Sequence, residues 1–436
     1  MATYTTTAIA SLSTVAVASL GTSDVSALGT SQVAAFNTAQ IRALTTEQAQ
    51  VLASDQVAAL GTLQIAALES RDLTALQGAA LQALSSLQVA ALGTAQVFAL
   101  TSTQIAALSS ASVAALSTSQ IRALSTSQAD ALGTAQAAAL RTAQIAVLSS
   151  DNVRALGADA LSVLLSAQID ALSTAQAAAL TTAQFAALSA TQVLALGSEV
   201  LAAVGSAQVA ALSTSAVRAL STAQIAALST GRVAALGTDQ IQALGTAQIV
   251  ALTTAQVQSI ETTDMAALAT AVVAAMGSLQ IRSLSTSQLR SLDSAQVAQL
   301  GTEQAAVLSS AQVAALQTLQ IAALGTRSLQ ALSTTVLRAL DTRQIVALNN
   351  AQVRAISTTQ LAVLETGDLA AMGTEQIAAL SSEQVRALGS TQTRALTTAQ
   401  TRALLTAQIA ALTTAQVAAL TTVQIAALEV AGFQGG

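Results

Sequence analysis

The chain has 436 residues and a formal net charge of −5, with 53 % apolar and 8 % charged residues and no His, Cys, Pro or Trp. All 16 basic residues are Arg, so there is no imidazole base, thiolate, Schiff-base amine or zinc cluster to run chemistry. Scattered Arg in a weakly acidic chain also excludes the basic patch and stacking aromatics of a nucleic-acid binder.

Residues 1–4 form a short N-terminal extension. From Thr5 to Leu428 the chain divides into 53 octapeptides with no insertion or deletion, and 429–436 form a C-terminal tail. Length alone would suggest roughly two or three globular domains. A short period carried this far instead specifies a stack in which each unit meets its neighbours in the array. The longest near-apolar run, Met265 to Gly277, is interrupted by Thr270 and falls short of the roughly 18 residues a membrane helix needs. No basic region leads into an apolar stretch at the start, so no ordinary cleavable leader is expected.

Each octad ends on a large aliphatic residue, as in Thr413-Thr414-Ala415-Gln416-Val417-Ala418-Ala419-Leu420. Position eight is Leu with few exceptions (Phe36, Val204, Ile260, Met276, Ile356 and Met372). Position five is mainly Ile, Val or Leu, with Thr393 and Thr401 as polar exceptions, and position seven is mostly Ala. Positions one and two are Ser, Thr, Gly, Asn or Asp nearly throughout, and position four is Gln in 37 of 53 octads.

A β-solenoid is the alternative fold, but positions five and eight have opposite parity and could not share a strand face. In one continuous helix the apolar stripe would rotate by roughly 80° per octad and form no face. The pattern therefore predicts an all-α solenoid of very short helices, one capped helix per octad. Ala, Gln and Leu favour helix, and Thr413-x-x-Gln416 is a capping box. Fifteen of the 21 Gly occupy position one, where a left-handed residue would end the preceding helix. Charge agrees with this direction: 11 Arg sit at position six, and 19 of 21 acids at positions one, three or four, as the helix dipole favours. Positions three and six are thus expected to face solvent. A helix this short is unstable alone, so positions five and eight must be buried against neighbours, with two helices per layer as the simplest stack.

Octads without Gln cluster around Asp72 and Ala80, then Ser112, Asn152 and Ala160, Val200, Asp264 and Val272, Ser328 and Val336, and Asp368. They read either as drift between degenerate repeats or as a recurring lateral contact. Position-four Gln reads as a cap, with a buried amide ladder between layers as the rival. The position-six Arg read as a solvated face or as an ion-pairing strip. The last octads, Leu405 to Leu428, are near-ideal repeats, and neither end carries the polar capping repeat of a monomeric array. A head-to-tail contact that does not close builds a filament; the rival has Met1 to Thr7 and the Phe433 tail folding over the ends.

The octad Leu-Thr-Thr-Ala-Gln-Ile-Ala-Ala, present at Leu412 to Ala419 with Val for Ile, resembles the degenerate octapeptide arrays of large bacterial surface and secreted proteins, often labelled adhesin-like or haem-utilisation-like. The resemblance implies a surface or extracellular setting; the haem label has no support in a chain without His. Leu-Thr-x-x-Gln-Val-x-Ala-Leu also resembles helix starts in other α-solenoids, including transcription-activator-like effector repeats, whose base-reading loops have no counterpart here.

The expected function is structural: a secreted, self-assembling solenoid forming a filament, sheath or surface layer by end-to-end stacking. Its partner would be a second copy of itself, with the cell surface or other matrix proteins next. An adhesive stalk and an ice-binding rod are the alternatives. No catalytic, cofactor-binding or metal-ligating residue is expected, and carboxylates such as Asp151 and Asp159 are explained by helix N-termini.

Overall fold

The structure is a computed structural model that describes residues 4–433. The described residues hold 53 helices and no strand, one helix for each octad, as the alternation of caps and apolar positions predicts. The chain divides into two compact units, Met1–Ala227 and Leu228–Gly436, and within each the helices wind as an α-solenoid.

Most helices run from position two to position six or seven. Ser102–Ala107 illustrates how one begins and ends. The Thr101 hydroxyl accepts from the Gln104 backbone N–H at 3.2 Å, while Gln104 Oε1 accepts from the Thr101 N–H at 3.0 Å. Two first-turn donors that a helix leaves orphaned are satisfied in this way. At the other end Leu108 leaves the helix at φ −65°, ψ 144°, and its N–H closes a tight turn on Ile105 O at 3.1 Å. Ser109 continues extended at φ −65°, ψ 153°. Two extended residues, positions eight and one, therefore link consecutive helices.

That linkage corrects one expectation. No described residue, Gly included, has positive φ, so position-one Gly does not end the preceding helix in a left-handed conformation. Gly133, for example, is extended at φ −74°, ψ 169° and serves as N-cap of Thr134–Ala139. The chain turns back not by reversing its local handedness but by leaving the helix after about one and a half turns.

Position-five side chains are almost wholly buried, from Ile9 through Ile41, Leu73 and Phe185 to Leu369, and position eight is nearly as deep. Each such side chain is worth roughly 1.5–3 kcal/mol of transfer free energy, which offsets the poor stability of five- and six-residue helices. Thr393 and Thr401, buried at position five, turn their hydroxyls back to Gly389 O at 3.0 Å and Thr397 O at 2.9 Å. Position three and position six are exposed, as at Leu63 and Phe98.

The successive turns are set by contacts 25 to 31 residues apart, as in Arg141 to Leu116 and Gln144 to Val113. One turn of the coil thus takes close to 28 residues, or three and a half octads, rather than two helices per layer. Each helix packs against the helix three octads away, as Ser86–Ala90 does on Ser110–Ala115. The final helix, Thr422–Phe433, is 12 residues long, so the backbone stays helical beyond Leu428, where earlier octads become extended. Thr5 caps the first helix, Thr6–Ser11, and Tyr4, just before the first octad, accepts from Gln32 through its carbonyl; Met1–Thr3 and residues 434–436, invoked in the folded-over ends, lie outside the described residues, as do the side chains of 430–433.

Candidate functional site

The recurring polar site of the molecule is the junction between turns, and position four builds it. Gln128 shows its geometry. Its side chain is buried, and Oε1 accepts from the Ser125 N–H at 2.8 Å. Its Nε2 donates to Val97 O at 2.8 Å and Leu100 O at 2.7 Å, 31 and 28 residues back. One amide thereby caps the start of its own helix and the end of a helix four octads earlier. In the second unit Gln312 does the same with Ser309 N–H, Ile281 O and Leu284 O.

Both readings of the Gln were half correct. The cap and the inter-turn ladder are one arrangement, and its rungs join amide to carbonyl rather than amide to amide. The residue type follows from the chemistry: the site needs an acceptor and a donor on one neutral planar group. Glu would turn a carboxylate toward carbonyl oxygens. Gln first appears at position four in the fourth octad, where Gln32 reaches Tyr4 O, 28 residues back.

The substitutes at position four show what the junction requires. Asn152, one methylene shorter, still donates to Leu124 O at 2.8 Å, and Ser328 donates to Leu300 O at 2.6 Å, each 28 residues back. Asp72, Asp264 and Asp368 are different. Each is buried and accepts from a position-two hydroxyl 26 residues earlier: Thr46 at 2.8 Å, Thr238 at 2.6 Å and Thr342 at 2.8 Å. Burial pushes the Asp72 carboxyl above the ordinary Asp value; the Thr46 hydrogen bond and the nearby Arg71 charge oppose the shift, while Glu69 and Glu47 add to it.

These carboxyl–hydroxyl pairs were not foreseen. A signal was present: the three octads of the 53 that begin with Glu, at Glu69, Glu261 and Glu365, are the ones that carry these Asp residues at position four. Without the 28-residue turn, the Thr partners have no visible relation to them.

On the surface, the position-six Arg are mixed in behaviour. Arg338 Nε lies 3.9 Å from Glu365 Oε1 across a turn, and Arg354 Nε donates to Ala379 O at 3.3 Å. A surface groove of about 570 Å³ runs beside Thr14, Arg42, Thr46, Glu47 and Arg71. Another, of about 490 Å³, is lined by Arg338, Glu365, Thr366 and Gln392. Among the described residues no three His, Cys, Asp or Glu side chains gather into a metal-holding group, and no helix is long and apolar enough to cross a membrane.

The ALTTAQ repeat family matches the chain over residues 25–62 and, in overlapping stretches, over 65–142, 193–318 and 321–430. No curated protein matches it. The matched stretches take in well over half of the chain.

Proposed function

We propose that the chain, which belongs to the ALTTAQ repeat family, is a structural protein that assembles end to end into an extracellular or cell-surface filament, sheath or layer. The observation that carries this reading is the repetition of the junction. Gln amides meet position-five and position-eight carbonyls with the same offset at turn after turn, as at Gln128, Gln184 and Gln224 in one unit and Gln320, Gln352 and Gln400 in the other. Interior turns present the same donors and acceptors again and again, and a surface of that kind can seat another turn. The first three octads, with Ala8, Ala16 and Asp24 at position four, would meet the last turn of a second copy by shape and apolar contact rather than through an amide. A heterologous contact of this sort does not close on itself. The role needs no catalytic group, and the partner is the protein itself.

Negative-stain microscopy and sedimentation of purified protein across a hundred-fold concentration range test the proposal. Particles that lengthen with concentration are expected; monodisperse short particles at every concentration would overturn it. An adhesive role is the second reading. It is favoured by large apolar side chains at outward position three, with Leu63 and Leu87, in helices that pack on each other, both 75 % exposed. Binding to cell-surface or matrix proteins by single particles, abolished by L63S/L87S, would distinguish it.

A further inference from the structure

We propose that Asp72 closes its turn junction as a neutral carboxylic acid, donating from Oδ2 to the Leu44 carbonyl where other octads use an amide, and that ionisation loosens this junction. The proposal begins with register. Residues 28 and 31 positions before Asp72 are Leu44 and Ile41, whose carbonyls occupy the places that Gln Nε2 reaches elsewhere, as Gln128 reaches Leu100 and Val97. Asn152 has a side chain of the same length as Asp and spans the same 28-residue offset to Leu124 O at 2.8 Å. An Asp in this place can make that bond only if it carries a proton.

The surroundings favour the proton. The Asp72 side chain is fully buried, its Oδ1 takes the Thr46 hydroxyl, and Oδ2 is a buried oxygen with no partner. A bare carboxylate oxygen here would be desolvated with no donor to compensate it, a costly arrangement. Its own helix, Ser70–Ala75, contributes Arg71, which lies 3.6 Å from Oδ1 but also pairs with Glu69 at 2.9 Å. Thr46–Gln50, packed against it on one side, brings Glu47, and Thr38–Arg42, which contains Ile41 and leads to Leu44, ends on Arg42. Thr94–Ala99, packed on the other side, carries no titratable group.

The neighbouring junction sharpens the effect. The next octad has Ala80 at position four, which has no polar atom to donate from. Two consecutive rungs of the ladder are therefore without an amide, and of the two position-four side chains only Asp72 can supply a donor. Burial raises the Asp72 carboxyl above its ordinary value in the folded chain. The stabilisation is then complete below the unfolded-state value of about 4 and is lost as pH rises through the raised folded value.

Hydrogen–deuterium exchange of the full chain, corrected for intrinsic rates, tests this at amides of residues 42–50 and 70–76, with the Gln184 junction as internal control. Wild type should lose protection at the Asp72 junction by about tenfold per pH unit across the interval between the two values. D72N and D72Q, which supply an amide, should remain flat with pH. T46V removes the hydroxyl that favours the ionised form and should move the loss to higher pH. An unchanged pH profile in D72N overturns the proposal. So does recovery of wild-type protection at high pH on adding millimolar CaCl2 or MgCl2, because the oxygen cluster would then be holding a cation and not a proton.

Discussion

Replacing Gln352 tests the junction most directly. Its buried side chain accepts from the Asn349 N–H at 2.9 Å and donates to Ile321 O at 2.8 Å and Leu324 O at 2.7 Å. Gln352→Ala strips partners from one donor and two acceptors at the seam. Each buried group left unsatisfied costs about 1–3 kcal/mol, but water entering the vacated space will recover part of it, leaving roughly 2–4 kcal/mol. Because a repeat array opens locally, the loss is best read by hydrogen exchange at Asn349 and its neighbours. At about 1.4 kcal/mol per decade, exchange there should quicken by roughly 30- to 1000-fold. Gln352→Asn should cost less, since Asn152 shows that the shorter amide still reaches a carbonyl 28 residues back. Gln352→Glu should cost most at neutral pH, because a carboxylate would face the two carbonyls. A Gln352→Ala protein whose local exchange changes less than threefold, or a Glu variant as protected as wild type, would refute the role given to the amide.

Phe185→Ala empties a fully buried position five and should destabilise its unit by about 3–5 kcal/mol, seen as a lower urea midpoint by far-UV circular dichroism. Thr401→Val replaces a buried hydroxyl that only returns to Thr397 O with the aliphatic residue used elsewhere at this position. It should leave stability unchanged or raise it by up to about 1 kcal/mol in the same assay. Duplicating residues 413–420 preserves the register, because every octad supplies the same carbonyls to the amide 28 residues later. Helicity per residue and melting temperature should hold, whereas inserting a single Ala after Leu348 should lower both.

The local structure was readable because its determinants are local. Ser or Thr three residues before Gln, apolar residues at five and eight, and polarised charges specify a capped short helix, and that is what Ser102–Ala107 and its fellows are. The exposed positions were readable for the same reason: Leu63 at three and Phe98 at six point outward whatever their chemistry. Position-one Gly misled because a helix can end without a left-handed residue. Gly133, Ser173 and Thr181 all take the same extended cap, so Gly is there a small residue among others. The Asp72–Thr46 pair was hidden because its two members are 26 residues apart, an offset that is no multiple of the octad.

That offset marks the boundary between what sequence and tertiary structure each determined. The period of eight, the helix in each period, its caps and its buried positions are set by contacts three or four residues apart, and the residue types record them. The 28-residue turn leaves no such record. Any octad can supply the carbonyls, and most can supply the amide, so no residue distinguishes two helices per turn from three and a half. The number comes from how helices linked by two extended residues pack their fifth and eighth side chains around the coil. Only that packing decides which carbonyl each Gln meets, and hence which of the uniform repeats, those with Asp at position four, are chemically unlike the rest.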